Sequence, residues 1–232
     1  MSYICKSRVA RGAVYSALVL IIIGIDIDHV RADSNTGRTH NHQKLHHTEA
    51  TRTESSHALR STYTLTVSNY SPPAVRLTDA SGENIILSDL LAQDVPVLMQ
   101  FIFTSCATIC PLLSATFSHG QKALSSTHDD YRMLSISIDP EYDTPKRLAV
   151  YAKRNNASEN WTFLTGAKGD ISKVMRAFDV LYQGDNKMYH QPYTFLRPRA
   201  SSPWIKIDGL LTVNELIREY NAAFQSADVR LN

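Results

Sequence analysis

The chain has 232 residues, 43 % hydrophobic and 20 % charged, which excludes a protein disordered or membrane-embedded throughout. Its formal net charge of +2 offers none of the clustered basic surface that nucleic acid binding needs, so nucleic acid is not an expected partner. This length accommodates one domain of ordinary size with N-terminal appendages.

Residues 1–32 read as a targeting segment. Lys6, Arg8 and Arg11 form a positive region, and Ala13 to Ile25 is an apolar run of 13 residues. Val30-Arg31-Ala32 then places small or moderate residues where a signal peptidase reads. A membrane span needs roughly 20 apolar residues, so a cleaved leader is expected, with an uncleaved N-terminal anchor as the alternative. Either way the rest of the chain is exported, which in a bacterium means the periplasm, free or anchored to the inner membrane. Cys5 precedes the apolar run and does not resemble a lipoprotein cysteine. Without residues 1–32 the chain holds 20 basic and 20 acidic residues and is formally neutral.

Residues 33–62 are polar and aperiodic and carry His40, His42, His46, His47 and His57. They read as a disordered tether, either a solvated spacer or a loose trap for metal ions. Residues 63–232 have the pattern of a folded domain. Val75–Thr78 and Asn84–Leu87 flank Asp79-Ala80-Ser81-Gly82 as a hairpin. Ser88 and Asp89 are placed to cap a short helix through Leu91.

Val95–Phe103 (VPVLMQFIF) suits a strand covered on both faces. A helix follows to about Ser125, with Leu112, Leu113, Phe117 and Leu124 as its expected buried positions. Arg132–Ile138 is a second buried strand, after which Thr144 and Pro145 open a helix. Trp161–Leu164, Tyr193–Leu196 and Trp204–Ile207 read as short strands. Asp170–Leu181 and Val213–Phe224 read as helices. Strands alternating with helices give an α/β layer architecture.

Removing the leader leaves two cysteines, Cys106 and Cys110, in Cys-Ala-Thr-Ile-Cys-Pro. A disulfide closing so small a loop adds little stability, so chemistry explains the pair better. They lie where a strand gives way to a helix, and backbone N–H groups there favour thiolates. Spacing of four puts both sulfurs on one side of a helical turn. Such a pair suits a redox-active dithiol or two ligands of a soft ion such as Cu(I). Two thiols do not fill a zinc site, and the four cysteines of an iron–sulfur cluster are absent. A third ligand is therefore needed, and His190 is the candidate, although a lone histidine equally suits a surface or hydrogen-bonded role. His119 and His128 read as solvated. Asp139 and Asp143, in Asp-Pro-Glu-Tyr-Asp-Thr-Pro, either shape a turn and cap a helix or stand at the site edge of the sheet.

Phe103-Thr104-Ser105-Cys106 through Cys110-Pro111-Leu112-Leu113-Ser114, with the Asp139–Pro145 motif 29 residues after Cys110, resembles the Sco (SenC) family. The similarity spans about residues 70–222. It implies a thioredoxin-like fold with an added β-hairpin, and one copper ion, Cu(I) or Cu(II), held by Cys106, Cys110 and His190. It also implies a role in metallating the binuclear copper site of cytochrome c oxidase, by copper transfer, thiol reduction or both. The partners so implied are the copper-bearing oxidase subunit and, beyond it, another copper chaperone or a thiol reductant. Thiol–disulfide exchange on exported proteins is the main alternative, with a peroxidase and a tether-dependent metal-sequestering protein as others. The chain departs from the family in carrying Tyr189-His190-Gln191 where Asp-His-Ser is common, so orientation of the imidazole has no assigned partner. Arg197–Ser202 also lacks the usual Asp-x-x-Gly turn.

Overall fold

A computed structural model describes residues 62–126, 130–182, 184 and 186–229. The expected leader, the tether histidines and His128 lie outside the described residues. Among the described residues, no helix is long and apolar enough to cross a membrane.

The sheet grows outward from β4, Val97–Ile102, whose six residues are all buried. It lies parallel to β5 (Arg132–Ser137) on one side and antiparallel to β7 (Tyr193–Arg197) on the other. A strand paired along both edges and covered on both faces has no polar side to offer, hence its nearly continuous apolar sequence. β6 (Trp161–Gly166) runs parallel to β5. Beyond it the hairpin of β2 (Arg76–Asp79) and β3 (Asn84–Ile86) extends the sheet, since β2 pairs antiparallel with β6. At the opposite edge β8 (Trp204–Asp208) pairs with β7, and β1 (Thr64–Ser68) with β8. The order is β1-β8-β7-β4-β5-β6-β2-β3. This is the thioredoxin-like arrangement with the expected added hairpin.

Five helices join the strands: α1 (Leu87–Ala92), α2 (Ile109–Ser125), α3 (Pro145–Arg154), α4 (Lys168–Ala177) and α5 (Val213–Val229). Alternation along the strands puts Phe101 and Phe195 on one sheet face, where they meet Phe178 and Trp204. Trp161 and Phe163 occupy the other face, against Phe117 of α2 and Tyr151 of α3. There the Trp161 indole and the Gln100 amide both donate to Ser135 Oγ, at 2.9 and 2.8 Å, pairing two buried donors within the sheet. α2 also packs on α5, closely enough that a Cβ at Gly120 would come within 2.9 Å of Leu216 Cδ2.

Several local expectations need correction. α1 begins at Leu87 with Ile86 at its N-cap and no side-chain cap, and Ser88 donates instead to Asp89, at 3.1 Å. Leu112 is 55 % exposed, whereas Leu113, Phe117 and Leu124 are buried. β1 has no counterpart among the predicted elements because its five residues are mostly exposed and its order comes from pairing with β8. α4 ends at Ala177, short of the expected Leu181. Asp179 adopts a left-handed φ of 53°, its N–H reaching Arg176 O and that of Val180 reaching Met175 O. That is the Schellman termination, which Asn156 (φ 51°) repeats after α3. Thr144 does cap α3, its Oγ1 accepting from Arg147 N–H at 3.4 Å.

Phe178 is fully buried among Tyr70, Phe101, Phe195 and Trp204. Phe178→Ala is expected to cost about 3–5 kcal/mol of unfolding free energy. Urea denaturation checks this, and a loss below about 1 kcal/mol contradicts the packing described.

Candidate metal centre

The site forms where β4 ends. Cys106 N–H donates to the Phe103 carbonyl at 3.1 Å, closing a tight turn immediately after the strand. Cys106 therefore precedes α2, and only Cys110 belongs to its first turn. The expected placing of both sulfurs on one helical turn is corrected here: the pre-helix turn, not helical periodicity, brings them together. Pro111 sits in that first turn, where a missing N–H costs little because the first N–H groups of a helix have no acceptor within it.

Both cysteines are free thiols in buried positions. Cys110 N–H donates to Cys106 Sγ at 3.5 Å, and the Thr108 hydroxyl lies 3.5 Å from the same sulfur. Burial acts against a Cys106 thiolate, but these groups and the Thr108 N–H outweigh it and hold the thiol below its ordinary pKa. Cys110 is deeper. Burial drives its thiol well above the ordinary range, with the nearby Cys106 adding to the effect.

His190 reaches this turn through strand register. β7 runs antiparallel to β4, with Gln100 opposite Thr194, so residues upstream of Tyr193 pass back over those following Ile102. His190 stands just there, buried, with Nε2 3.5 Å from Cys110 Sγ. The Phe103 ring meets it nearly edge-on, at 5.1 Å and 71°. Burial keeps its pKa below the ordinary imidazole value, the Gln191 backbone offsetting this only in part. Nδ1 is buried with no hydrogen-bond partner.

One ligand atom from each of Cys106, Cys110 and His190 lies within 4.8 Å of the others. Among the described residues this is the one His, Cys, Asp and Glu group so gathered. His119 is exposed on α2, as read from the sequence. Asp139 and Asp143 stay outside the trio. The fully buried Asp143 carboxylate accepts from Thr104 N–H at 3.0 Å, Thr104 Oγ1 at 2.5 Å and Ser137 Oγ at 2.6 Å, fixing the turn that carries Cys106. Asp139 pairs with Lys187, which begins the 3₁₀ turn Lys187–Tyr189 before His190. Of the supporting residues, Thr104 and Thr108 adjoin the cysteines and were open to suspicion on that ground. Phe103 resembled core, and Lys187 gave no sequence signal.

The buried imidazole has a consequence for stability. Unfolded, His190 protonates near its ordinary value of 6.5; folded, it resists until a lower pH. Between those values the unfolded state binds more protons, so this contribution is present above about pH 6.5 and lost as pH falls through the folded value. Reduced, metal-free protein is expected to lose more unfolding free energy than His190→Gln between about pH 7.5 and 5.5. Urea denaturation across that range reads the difference, and equal slopes contradict it.

The comparisons with known proteins fall on this same region. A family model described as SCO1/SenC matches residues 70–225. A SCO1 protein homolog from Bacillus subtilis (strain 168) is 34 % identical over 134 residues, covering 55 % of this chain and 68 % of the relative. The solved structure of BsSco, described as bearing a disulfide switch and as a member of the Sco family of cytochrome c oxidase assembly proteins, is 29 % identical. It has a TM-score of 0.57 and covers 68 % of this chain and 95 % of that one. Arabidopsis thaliana ScoI, solved with copper bound, shares the fold at a TM-score of 0.56 and 22 % identity, over 70 % of this chain and 99 % of that one. With two thirds of its length matched, including Cys106, Cys110 and His190, the chain belongs to the SCO1/SenC family.

Proposed function

We propose that this protein binds one copper ion through Cys106, Cys110 and His190 and delivers it to the copper-bearing subunit of cytochrome c oxidase. The observation that carries the reading is the convergence of two thiol sulfurs and one imidazole nitrogen within 4.8 Å. The donors suit the ion. Thiolates select soft Cu(I) over hard cations, and neutral imidazole serves Cu(I) and Cu(II) alike. The copper-bound relative and the oxidase-assembly description of BsSco support the choice of cargo and recipient. The expected leader at residues 1–32 supports a place outside the cytoplasm, in the periplasm, either free after cleavage or held to the inner membrane by the uncleaved segment.

Loading and release follow from the unequal depth of the ligands. Cys106 is the thiol held below its ordinary pKa, so it offers a thiolate first. Cys110 and His190 lie behind it in contact with each other and complete the shell as the Cys110 proton leaves. Delivery keeps this order: a partner's ligands replace Cys106 first, then Cys110 and His190. Another copper chaperone is the expected source of the ion. The exposed side chains of Leu112, Met188 and Tyr189, which flank ligands in sequence, leave apolar surface for such a partner.

The contact of Cys110 N–H with Cys106 Sγ also favours a second reading, thiol–disulfide exchange. Cys106 thiolate would attack a partner's disulfide, forming a mixed disulfide and releasing one partner thiolate. Cys110 thiolate would then attack Cys106 sulfur, releasing the second. The partner is reduced by two electrons and this protein is left with a Cys106–Cys110 disulfide, which a thiol reductant must reopen. That disulfide removes both sulfur ligands, so redox state and copper loading are coupled.

Anaerobic Cu(I) titration of the reduced full chain against a competing chelator separates these readings. Wild type is expected to take one copper, and Cys106→Ser and Cys110→Ser to lose nearly all binding. His190→Ala should weaken affinity about 100-fold, near 2.7 kcal/mol. Unchanged stoichiometry and affinity in all three variants overturns the copper reading. Full biological activity in His190→Ala favours thiol exchange.

A further inference from the structure

We infer that Lys187 and Asp139 form a positioning clamp for His190. This rests on the reading of His190 as a copper ligand. The Lys187 ammonium contacts the Asp139 carboxylate and lies 5.3 Å from the centre of the Phe103 ring. Asp139 is largely buried and Lys187 half-buried, with side chains 12 % and 35 % exposed. An ion pair so shielded is screened less than a surface pair. Phe103 is also the ring that packs edge-on against His190.

The need for a clamp follows from the contacts that His190 does not have. A metal-bound histidine is ordinarily steered by a hydrogen bond from its second ring nitrogen, but Nδ1 of His190 makes none of full geometry, and the Gln191 backbone beside the ring rides on the same segment. Its backbone is carried by the short turn from Asn186, and most bonds in that turn are internal. Asn186 Oδ1 accepts from Met188 N–H at 3.0 Å, Asn186 O from Tyr189 N–H at 3.1 Å, and Lys187 O from His190 N–H at 3.2 Å. Among the described residues of this turn, the tie to another element upstream of His190 is Lys187 to Asp139. Met188 and Tyr189 are exposed and add no packing.

Asp139 is itself fixed to the cysteine side of the site. Its N–H donates to Ser137 Oγ at 3.0 Å, and its carbonyl accepts from Asp143 N–H at 2.8 Å. Asp143 in turn holds Thr104 in the turn before Cys106. One loop, 139–143, thus grips both halves of the ligand set: Asp143 holds the cysteine turn and Asp139, through Lys187, the histidine turn. Releasing Lys187 frees the turn to swing and carries the imidazole away from Cys110.

A double-mutant cycle on the full-length reduced protein tests this, with Cu(I) affinity read by chelator competition and metal-free folding by urea denaturation. Lys187→Met is expected to lower Cu(I) affinity about 10-fold, the lower end of losses for groups that orient metal ligands, with the metal-free protein still folded. Lys187→Arg, whose guanidinium also reaches a carboxylate, should stay within about threefold of wild type. Because Lys187 acts through His190, adding Lys187→Met to His190→Ala should cause no further loss. An equal loss in both backgrounds, or none in the wild-type background, overturns the clamp while leaving the copper reading intact. An unaltered affinity in His190→Ala overturns the reading of His190 as a ligand, and the clamp with it.

Discussion

The antiparallel pairing of β7 with β4 is the constraint on which the site depends. β4 is buried along its whole length and bounded by strands on both edges, so its position is among the most firmly set in the domain. Its end delivers Phe103 and the turn to Cys106. The start of β7, held in register by Gln100 opposite Thr194, delivers His190 to the same place. A slip of one residue in that pairing would turn the β7 side chains to the other face, so core packing that fixes the register also fixes the geometry of the trio. Phe195 in the aromatic core and His190 at the site are parts of one arrangement.

Around this frame the electrostatics divide the labour. The fully buried Asp143 carboxyl group accepts from three donors of Thr104 and Ser137, which makes it a brace for the cysteine turn. The two thiols differ by depth. Cys106 is met by N–H and hydroxyl groups at a helix start, whereas Cys110 is met mainly by burial and the His190 ring. A soft cation between them offsets the cost of a buried thiolate and takes up the Nε2 atom that otherwise meets the Cys110 thiol. The arrangement therefore suits a metal or a proton, and exchange of one for the other.

How legible this was in the sequence depended on how local the cause is. β4 showed in its continuous apolar run, α3 in Thr144-Pro145, and the cysteine pair in its own spacing, each decided within a few residues. His190 lies 80 residues from Cys110, and the strand register that joins them leaves no local trace, so residue chemistry alone left it open and family resemblance supplied it. Leu112 misled because it continues the apolar pattern of α2 at a position that faces outward. Lys187 was invisible because its role depends on a loop nearly fifty residues away, 48 by its partner Asp139. The two Schellman terminations escaped because Asn156 and Asp179, unlike glycine, do not announce a left-handed residue.

The central claim is that the buried trio binds copper as a unit of two sulfurs and one nitrogen. X-ray absorption on the anaerobically reduced, Cu(I)-loaded full chain measures that ligand set directly. The account predicts two sulfur ligands and one imidazole nitrogen, with the nitrogen lost in His190→Ala and the sulfurs kept. A copper shell without sulfur, or one whose imidazole signal survives in His190→Ala, contradicts it.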